Sequence, residues 1–353
     1  MTHDEDDFDP QDNLDFDDDI ESEDDFDDEA DDDFDDEGVD SQVTETDFNE
    51  DWPEDHRSGV IAVIGRPNVG KSTLVNAILG QKIAITTPKP QTTRRQQLGI
   101  YTVNQGQILF TDTPGIHRPH NKLSEMMYDL AEMAIGDADV ILWILDVSEP
   151  PTNADEYIAK VIQENAPQTP VVLALNKADL IQGTKNTEAH RALIAHVAAF
   201  EISALHNTEV PTLVDDLMAR LPLGPRYYPM DQVSDLNMRF IAAEMIREQI
   251  MIHTDKEVPH SSAVVIDRFK EGSERTTIEA TIYIERDSQK GIVIGKNGSM
   301  IKTIGTAARK ELMEMLEVPV HLDLHVKVLK DWRSNEDFMK RLGYRLPRHN
   351  EAD

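Results

Sequence analysis

Two glycine–lysine loops, more than two hundred residues apart, carry the residue types most able to do chemistry. The first, GRPNVGKS (65–72), has the spacing G-x-x-x-x-G-K-S and follows the apolar run GVIAVIG (59–65). Glycines let successive backbone N–H groups turn toward phosphate oxygens, and a helix opening at the loop adds positive potential. The spacing therefore predicts a phosphate cradle made of Gly65, Arg66, Pro67, Asn68, Val69, Gly70, Lys71, Ser72 and Thr73. In such a cradle Lys71 reaches the β- and γ-phosphates, and the Ser72 hydroxyl ligates Mg²⁺.

Further motifs end later apolar runs. In DTPG, 47 residues after Gly65, Asp112 can hold Mg²⁺ through water and the Gly115 N–H can meet a γ-phosphate, with Thr113 and Pro114 between them. In NKAD (176–179), the Asp179 carboxylate can accept from two adjacent N–H donors. Guanine presents that pair and adenine does not, so adenine would leave a buried carboxylate unpaired. Asn176 and Lys177 are expected to brace the pocket, with the backbone N–H groups of Ser203 and Ala204 meeting the guanine O6. The implied cofactors are GTP or GDP with Mg²⁺.

The second loop, VIGKNGSMI (293–301), lacks the four-residue spacer and any Lys-Ser/Thr ending, so it is no nucleotide loop. Its form resembles the GxxG loop of KH domains, which clamps about four nucleotides of single-stranded nucleic acid. Gly295 and Gly298 permit close backbone approach, and Lys296, Asn297 and Lys302 face the strand. Ile294 and Ile301 floor the groove or belong to the core; their spacing fits both. Lys290, Arg309 and Lys310 add local positive charge.

The elements that must position these motifs are readable from periodicity. QILFTD (107–112), VILWILDV (140–147) and VVLALN (171–176), with 59–65, read as buried strands, and helical patterns cover 70–80, 121–136, 153–165, 187–198 and 210–220. This alternation implies a mostly parallel sheet with helices on both faces, whose ligands bind at the strands' carboxyl ends. PLGPRYYPMDQVSD (222–235) is the linker. After it come a helix (236–252), strands at 262–269 and 276–285, the glycine loop, a helix (299–316) and a strand (320–329), a small α+β domain.

The net charge of −34 is misleading about partners. Residues 1–56 hold 30 of the 68 acidic residues and no Lys or Arg, which leaves 38 acidic against 34 basic residues elsewhere. Such a segment has too little apolar surface to collapse and is expected to be a disordered acidic tail. Its spaced Phe8, Phe16, Phe26 and Phe34 either stay solvated or dock on a basic surface. With no cysteine there is no disulfide scaffold, which suits a reducing compartment. The most apolar stretch, Val140–Val147, falls far short of the ~20 residues of a spanning helix, so a soluble protein is expected.

Together these motifs resemble the Era family of bacterial GTPases, one phosphate-loop GTPase domain followed by one type II KH domain. The resemblance spans about 57–346 and implies the boundaries 1–56 tail, 57–221 GTPase domain, 222–235 linker, 236–346 KH domain and 347–353 C-terminal tail. It makes PKPQTTRRQ (88–96) the first switch, with Gln91, Thr92, Thr93 and Arg94, and Thr93 rather than Thr92 as Mg²⁺ ligand. It places Asp112–Gly115 in the second switch. Ile116 stands where many GTPases carry a water-orienting glutamine, so slow intrinsic turnover is expected. Asn68 is either a turn residue or, as the resemblance suggests, a mark of a K⁺ ion near the phosphates.

The implied function is a GTP-hydrolysing switch that grips single-stranded 16S rRNA near its 3′ end during 30S ribosomal subunit assembly. The implied location is the cytoplasm, with peripheral contact on the cytoplasmic face of the inner membrane, and the expected state is monomeric. The alternative is an RNA chaperone in which bound GTP is structural and its hydrolysis incidental. A related family of tRNA-modifying GTPases carries a C-terminal cysteine motif, which this cysteine-free chain lacks.

If the tail carboxylates compete with RNA for the basic KH surface, deleting residues 1–56 tightens RNA binding, most at low salt. An RNA titration of the truncated chain at low ionic strength checks this, and unchanged affinity there removes the idea.

Overall fold

The computed structural model describes residues 52–181 and 187–345. The acidic segment with its four spaced phenylalanines, and the chain after Arg345, lie outside the described residues. The first half runs β1 (Arg57–Ile64), α1 (Lys71–Leu79), β2 (Gln97–Val103), β3 (Gly106–Asp112), α2 (Lys122–Gly136), β4 (Val140–Asp146), α3 (Asn153–Asn165), β5 (Val171–Asn176), α4 (Glu188–Arg191), β6 (Ala198–Glu201) and α5 (Val210–Arg220). These strands form one sheet in the order β2-β3-β1-β4-β5-β6, parallel except for β2, which runs antiparallel to β3.

The unbroken apolar runs follow from burial on both faces. Ile61 and Val63 of β1 point to one core with Leu74, Val75, Leu213 and Leu217, while Ala62 and Ile64 point to the other with Ala131, Ile135, Ile158 and Ile162. Parallel alignment also brings the residues that end β1, β3 and β5 to one edge of the sheet. There Asp112 pairs with Val63, and Asn176 with Asp146.

Two details differ from the sequence reading. Residues 97–103 form an unanticipated edge strand. The expected helix over 187–198 is helical only at Glu188–Arg191; residues 192–196 follow as turn and loop, and the end of the stretch joins the sheet, with Val197 N–H donating to Val171 O and Ala198–Glu201 pairing with β5. Edge pairing overrides the helix preference of the alanines there.

The second half runs α6 (Met238–His253), α7 (Val258–Ser261), β7 (Ala263–Lys270), β8 (Thr276–Ile284), α8 (Asp287–Ile294), α9 (Ser299–Leu316), β9 (Val320–Val328) and α10 (Glu336–Arg341). Its sheet order is β7-β8-β9, with β8 antiparallel to β7 and parallel to β9. A parallel pair needs a crossover, which α8 and α9 provide. Ala242, Ile246 and Ile250 of α6 pack with Ile304, Ala308 and Leu312 of α9 over Ile278, Ala280 and Ile282. Among these elements α7, α8 and α10 were not anticipated. The start of α8 is set by the Gln289 side-chain oxygen, which accepts from the N–H groups of Glu285 and Arg286 at 3.1 and 3.0 Å.

Residues 222–235 lie along the first sheet. Gln107 Oε1 accepts from the N–H groups of Tyr227 and Tyr228 at 2.8 and 3.0 Å, and Ile100 N–H donates to Val233 O at 2.9 Å. A further apolar cluster joins the halves: Leu123, Met126, Met127 and Leu130 of α2 meet Ala263, Leu329, Trp332 and Tyr344. Trp332 is fully buried there, and its Nε1–H donates to Ser261 O at 2.9 Å.

Trp332→Ala should cost about 3–5 kcal/mol, as expected for emptying a large core site. Urea unfolding checks it; a loss below about 1 kcal/mol would show that this cluster contributes little to holding the halves together.

Candidate functional site

The turn between β1 and α1 places the first glycine–lysine loop at the sheet's carboxyl edge. Asn68 and Gly70 adopt left-handed backbone, with φ of 64° and 103°. At Gly70 a Cβ would lie 2.4 Å from Asn176 Nδ2, so both the backbone and the close approach require glycine. Lys71 is buried, and its Nζ donates to Gly65 O and Arg66 O at 3.1 Å each. Burial pushes this ammonium down to about 8, against the opposing pull of Asp112. The Arg66 side chain turns to Glu149 and Asp155, and Val69 is part of the core.

Ser72, Thr93 and Asp112 converge from three segments. Ser72 Oγ donates to Asp112 Oδ2 at 2.8 Å, Ser72 Oγ and Thr93 Oγ1 are 3.0 Å apart, and Thr93 Oγ1 donates to Asp112 Oδ2 at 3.3 Å. Asp112 Oδ1 is buried without a partner among the described residues, and burial raises this carboxyl's pKa while Lys71 opposes the rise. Two hydroxyls beside a carboxylate with a spare oxygen make a hard-oxygen set, which fits Mg²⁺. Thr92 Oγ1 instead meets Thr87 Oγ1 at 2.8 Å and donates to Lys89 O at 2.7 Å. Thr113 Oγ1 donates to Val63 O, and Gly115 sits where a Cβ would come within 2.8 Å of Pro67 N. Ile116 is buried in the core.

Asn176 ties two loops together. Its Nδ2 donates to Val69 O at 2.8 Å and its Oδ1 accepts from Ala204 N–H at 2.9 Å. Lys177, with φ 64°, donates to Asp146 Oδ2 at 2.6 Å. Burial alone would raise the Asp146 carboxyl, but hydrogen bonds from Lys177 and Ser148 outweigh it and hold the group below its usual range. Asp179 lies on the short turn Ala178–Leu180, 3.7 Å from His206 Nε2.

The base end corrects one expectation. Neither backbone N–H assigned to the guanine O6 is free, because Ser203 N–H donates to Thr208 O at 3.2 Å and Ala204 N–H to Asn176 Oδ1. Those bonds fold the loop itself. The next N–H, of Leu205, has no partner among the described residues.

A cavity of about 470 Å³ joins all three regions, lined among others by Asn68, Lys71, Ser72, Thr93, Asn176 and Asp179. Pro67, Thr73, Gln91, Thr92, Gly115, Lys177, Ser203 and Ala204 also line it, whereas Arg94 points away into the second half. Sequence reasoning missed Ile85, Leu180 and Leu205 on its wall; the latter two are exposed apolar side chains suited to the faces of a flat base.

The second loop joins α8 to α9. Gly295 has φ 75°, and a Cβ there would lie 2.7 Å from Met300 N; Gly298 has φ 73°. Lys296, Asn297 and Lys302 are exposed and Ile294 is half-buried. Ile301 is buried, as a core residue would be, and the exposed apolar side chain beside the loop is Ile292, which the spacing argument overlooked. The first turn of α9 carries no acidic residue.

The fold and these two loops define a class: a phosphate-loop GTPase domain coupled to a KH domain. A family model described as 50S ribosome-binding GTPase matches residues 60–177, and one described as KH domain matches 257–333. GTPase Era of Staphylococcus haemolyticus (strain JCSC1435) is 44% identical over 294 residues, which cover 82% of this chain and 98% of that protein. A crystal structure of Era in complex with MgGDPNP and nucleotides 1506–1542 of 16S ribosomal RNA superposes with a TM-score of 0.78. A point variant of Aquifex aeolicus Era bound to GDP·AlF₄⁻ gives 0.77. Both are 38% identical and cover 82% of this chain and all of theirs. The chain belongs to the Era family and is a GTP-hydrolysing enzyme.

Gly70→Ala should weaken GDP binding at least tenfold, because the added methyl forces Asn176 from Val69 O and strains a left-handed turn. Nucleotide titration with a fluorescent GDP checks it; unchanged affinity would mean that the loop relaxes freely.

Proposed function

We propose that this GTPase couples its nucleotide state to the grip of its KH domain on single-stranded 16S rRNA near the 3′ end, in assembly of the 30S subunit. The carrying observation is the joint beside Thr93. Arg94, 1% exposed, donates to Ser262 O at 2.6 Å, Pro259 O at 2.9 Å and His260 O at 3.0 Å, all in or beside α7. Arg95 donates to Leu342 O at 2.8 Å, and Arg247 of α6 donates to Thr92 O. The segment whose threonine faces Ser72 and Asp112 is thus hydrogen-bonded on both sides of that threonine to the second half.

In this reading Lys71 and the loop amides hold the β- and γ-phosphates, and Asp179 selects guanine with the Leu205 N–H as the free donor for O6. Ser72 and Thr93 ligate Mg²⁺, with Asp112 acting through water; the ion supplies positive charge where phosphate charge develops. Asn68 Nδ2 donates to Pro88 O at 2.8 Å, and its amide oxygen, without a partner among the described residues, is available to a K⁺ ion. Gly295–Gly298, Lys296 and Lys302 clamp the RNA backbone, with Ile292 and Ile294 under the bases.

The small subunit is favoured over the 50S particle named in the family description because the relative sharing both halves was solved with 16S rRNA. We retain the boundaries 57–221 and 236–346 for the two domains, with the linker strapped to the sheet. A monomer in the cytoplasm fits this role, and among the described residues no helix is long and apolar enough to cross a membrane. Peripheral contact with the inner membrane rests on the family resemblance alone.

Affinity for a single-stranded RNA from the 3′ end of 16S rRNA should differ between GDP and a non-hydrolysable GTP analogue at fixed salt. Arg94→Ala should shrink that difference at least threefold while leaving GDP affinity within twofold. Equal RNA affinity in both states, with hydrolysis indifferent to RNA, would favour the RNA chaperone with a structural GTP.

A further inference from the structure

Hydrolysis needs a group that orients the attacking water, and the residue after DTPG cannot be that group. Ile116 is 1% exposed within the core, and its N–H donates to Gly65 O at 3.3 Å. The adjacent His117 ring reaches across to the other switch segment. Gln91 Nε2 donates to His117 Nε2 at 3.0 Å, and His117 Nδ1–H donates to Arg118 O at 3.1 Å.

These two bonds agree on one neutral tautomer, with the ring proton on Nδ1. They also set the Gln91 amide, with its nitrogen toward the imidazole and its oxygen away. That oxygen has no partner among the described residues. Gln91 holds this place with φ 61°, a left-handed conformation rare for such a side chain. It lines the cavity with Thr93 and Gly115, the residues flanking the expected γ-phosphate position.

We propose that Gln91 Oε1 accepts a hydrogen bond from the attacking water, with His117 as the positioning residue that holds the amide. The inference rests on reading residues 88–96 as the switch beside the γ-phosphate. The water oxygen forms the new bond to phosphorus, and the bond from phosphorus to the β–γ bridging oxygen breaks with its electron pair staying on GDP. The amide takes no proton; the water's proton passes to a phosphate oxygen, giving GDP and inorganic phosphate.

The test uses the full chain. Single-turnover hydrolysis at saturating GTP is compared with affinities for GDP, a non-hydrolysable GTP analogue, and GDP with aluminium fluoride, which mimics the in-line transition state. Gln91→Ala should slow hydrolysis on the order of a hundredfold, the scale of losing one preorganised hydrogen bond made in the transition state. It should also abolish the added tightness from aluminium fluoride, with GDP and analogue affinities within twofold of wild type. His117→Ala should give a smaller loss of the same pattern.

A Gln91→Ala rate within twofold of wild type overturns the proposal. So does a rate loss matched by an equal loss of GDP and analogue affinity, which would mark a structural role. Thr93→Ala measured alongside separates this failure from failure of the switch reading itself, since only the latter leaves hydrolysis in Thr93→Ala unchanged.

Discussion

One peptide bond separates the two most consequential side chains of the molecule. Thr93 meets Ser72 and Asp112, while Arg94 is buried against the carbonyls around α7. Arg94 is a cation without a carboxylate partner among the described residues; burial lowers its pKa, yet a guanidinium does not surrender its proton in practice. Its charge is met by the carbonyls of Pro259, His260 and Ser262, in and just after the single turn of α7, where helix-end carbonyls lack partners within the helix. Each such bond is worth about 1.5–3 kcal/mol, and pulling the cation free without replacement partners costs several more. A shift of Thr93 therefore costs less if α7 follows than if Arg94 lets go. If Ser72, Thr93 and Asp112 hold the ion as proposed, this ordering of costs lets a change there move the second half instead of merely loosening a loop.

The nucleotide end depends on a comparable economy of parts. Asn176 holds the 65–72 loop through Val69 O and the 203–205 loop through Ala204 N–H, so the two loops share one side chain. Gly70 leaves room for that amide and cannot carry a side chain of its own. The parallel sheet makes the arrangement inevitable once the strands form, because β1, β3 and β5 all end at the same edge. The same logic brings Lys71, which opens α1 just after β1, beside Asp112 at the end of β3, where both are buried and partly neutralise one another.

What could be read from the sequence was the chemistry that is local in the chain. GRPNVGKS, DTPG and NKAD each carry their function within a few consecutive residues, and the apolar runs before them announce their strands. The GKNG turn was legible for the same reason, since its glycines are needed for left-handed backbone wherever the loop sits. What stayed hidden was pairing over distance. Arg94 reads as a residue of the first switch, and nothing in the sequence pairs it with α7, some 165 residues later. The use of Ala204 N–H by Asn176, and the approach of Gln91 to His117, have no signature in spacing. The helix expected over 187–198 ends at Arg191, and the last residue of the stretch is drawn into an edge strand, a fact of the sheet and not of the segment. For Ile301 and Ile292, apolar character was visible but its direction was not: α9 turns one into the core, and α8 leaves the other in solvent.

Charge shows the same division between local and global. The second half, residues 236–353, balances 19 basic against 19 acidic residues, so no net field draws RNA to it. Its attraction for a phosphate chain must come from arrangement. The N-terminus of the 18-residue α9 opens at Gly298, with no acidic residue in its first turn and Lys296 beside it. Backbone N–H groups at such an end favour anions at short range, whatever the domain's total charge. With few phosphates neutralised, the salt dependence of binding should be shallow compared with that of a basic groove. A grip of that kind depends on the position of a loop more than on long-range attraction. On the proposed reading, moving α7 and the helices packed near it therefore changes the grip without changing a single charge.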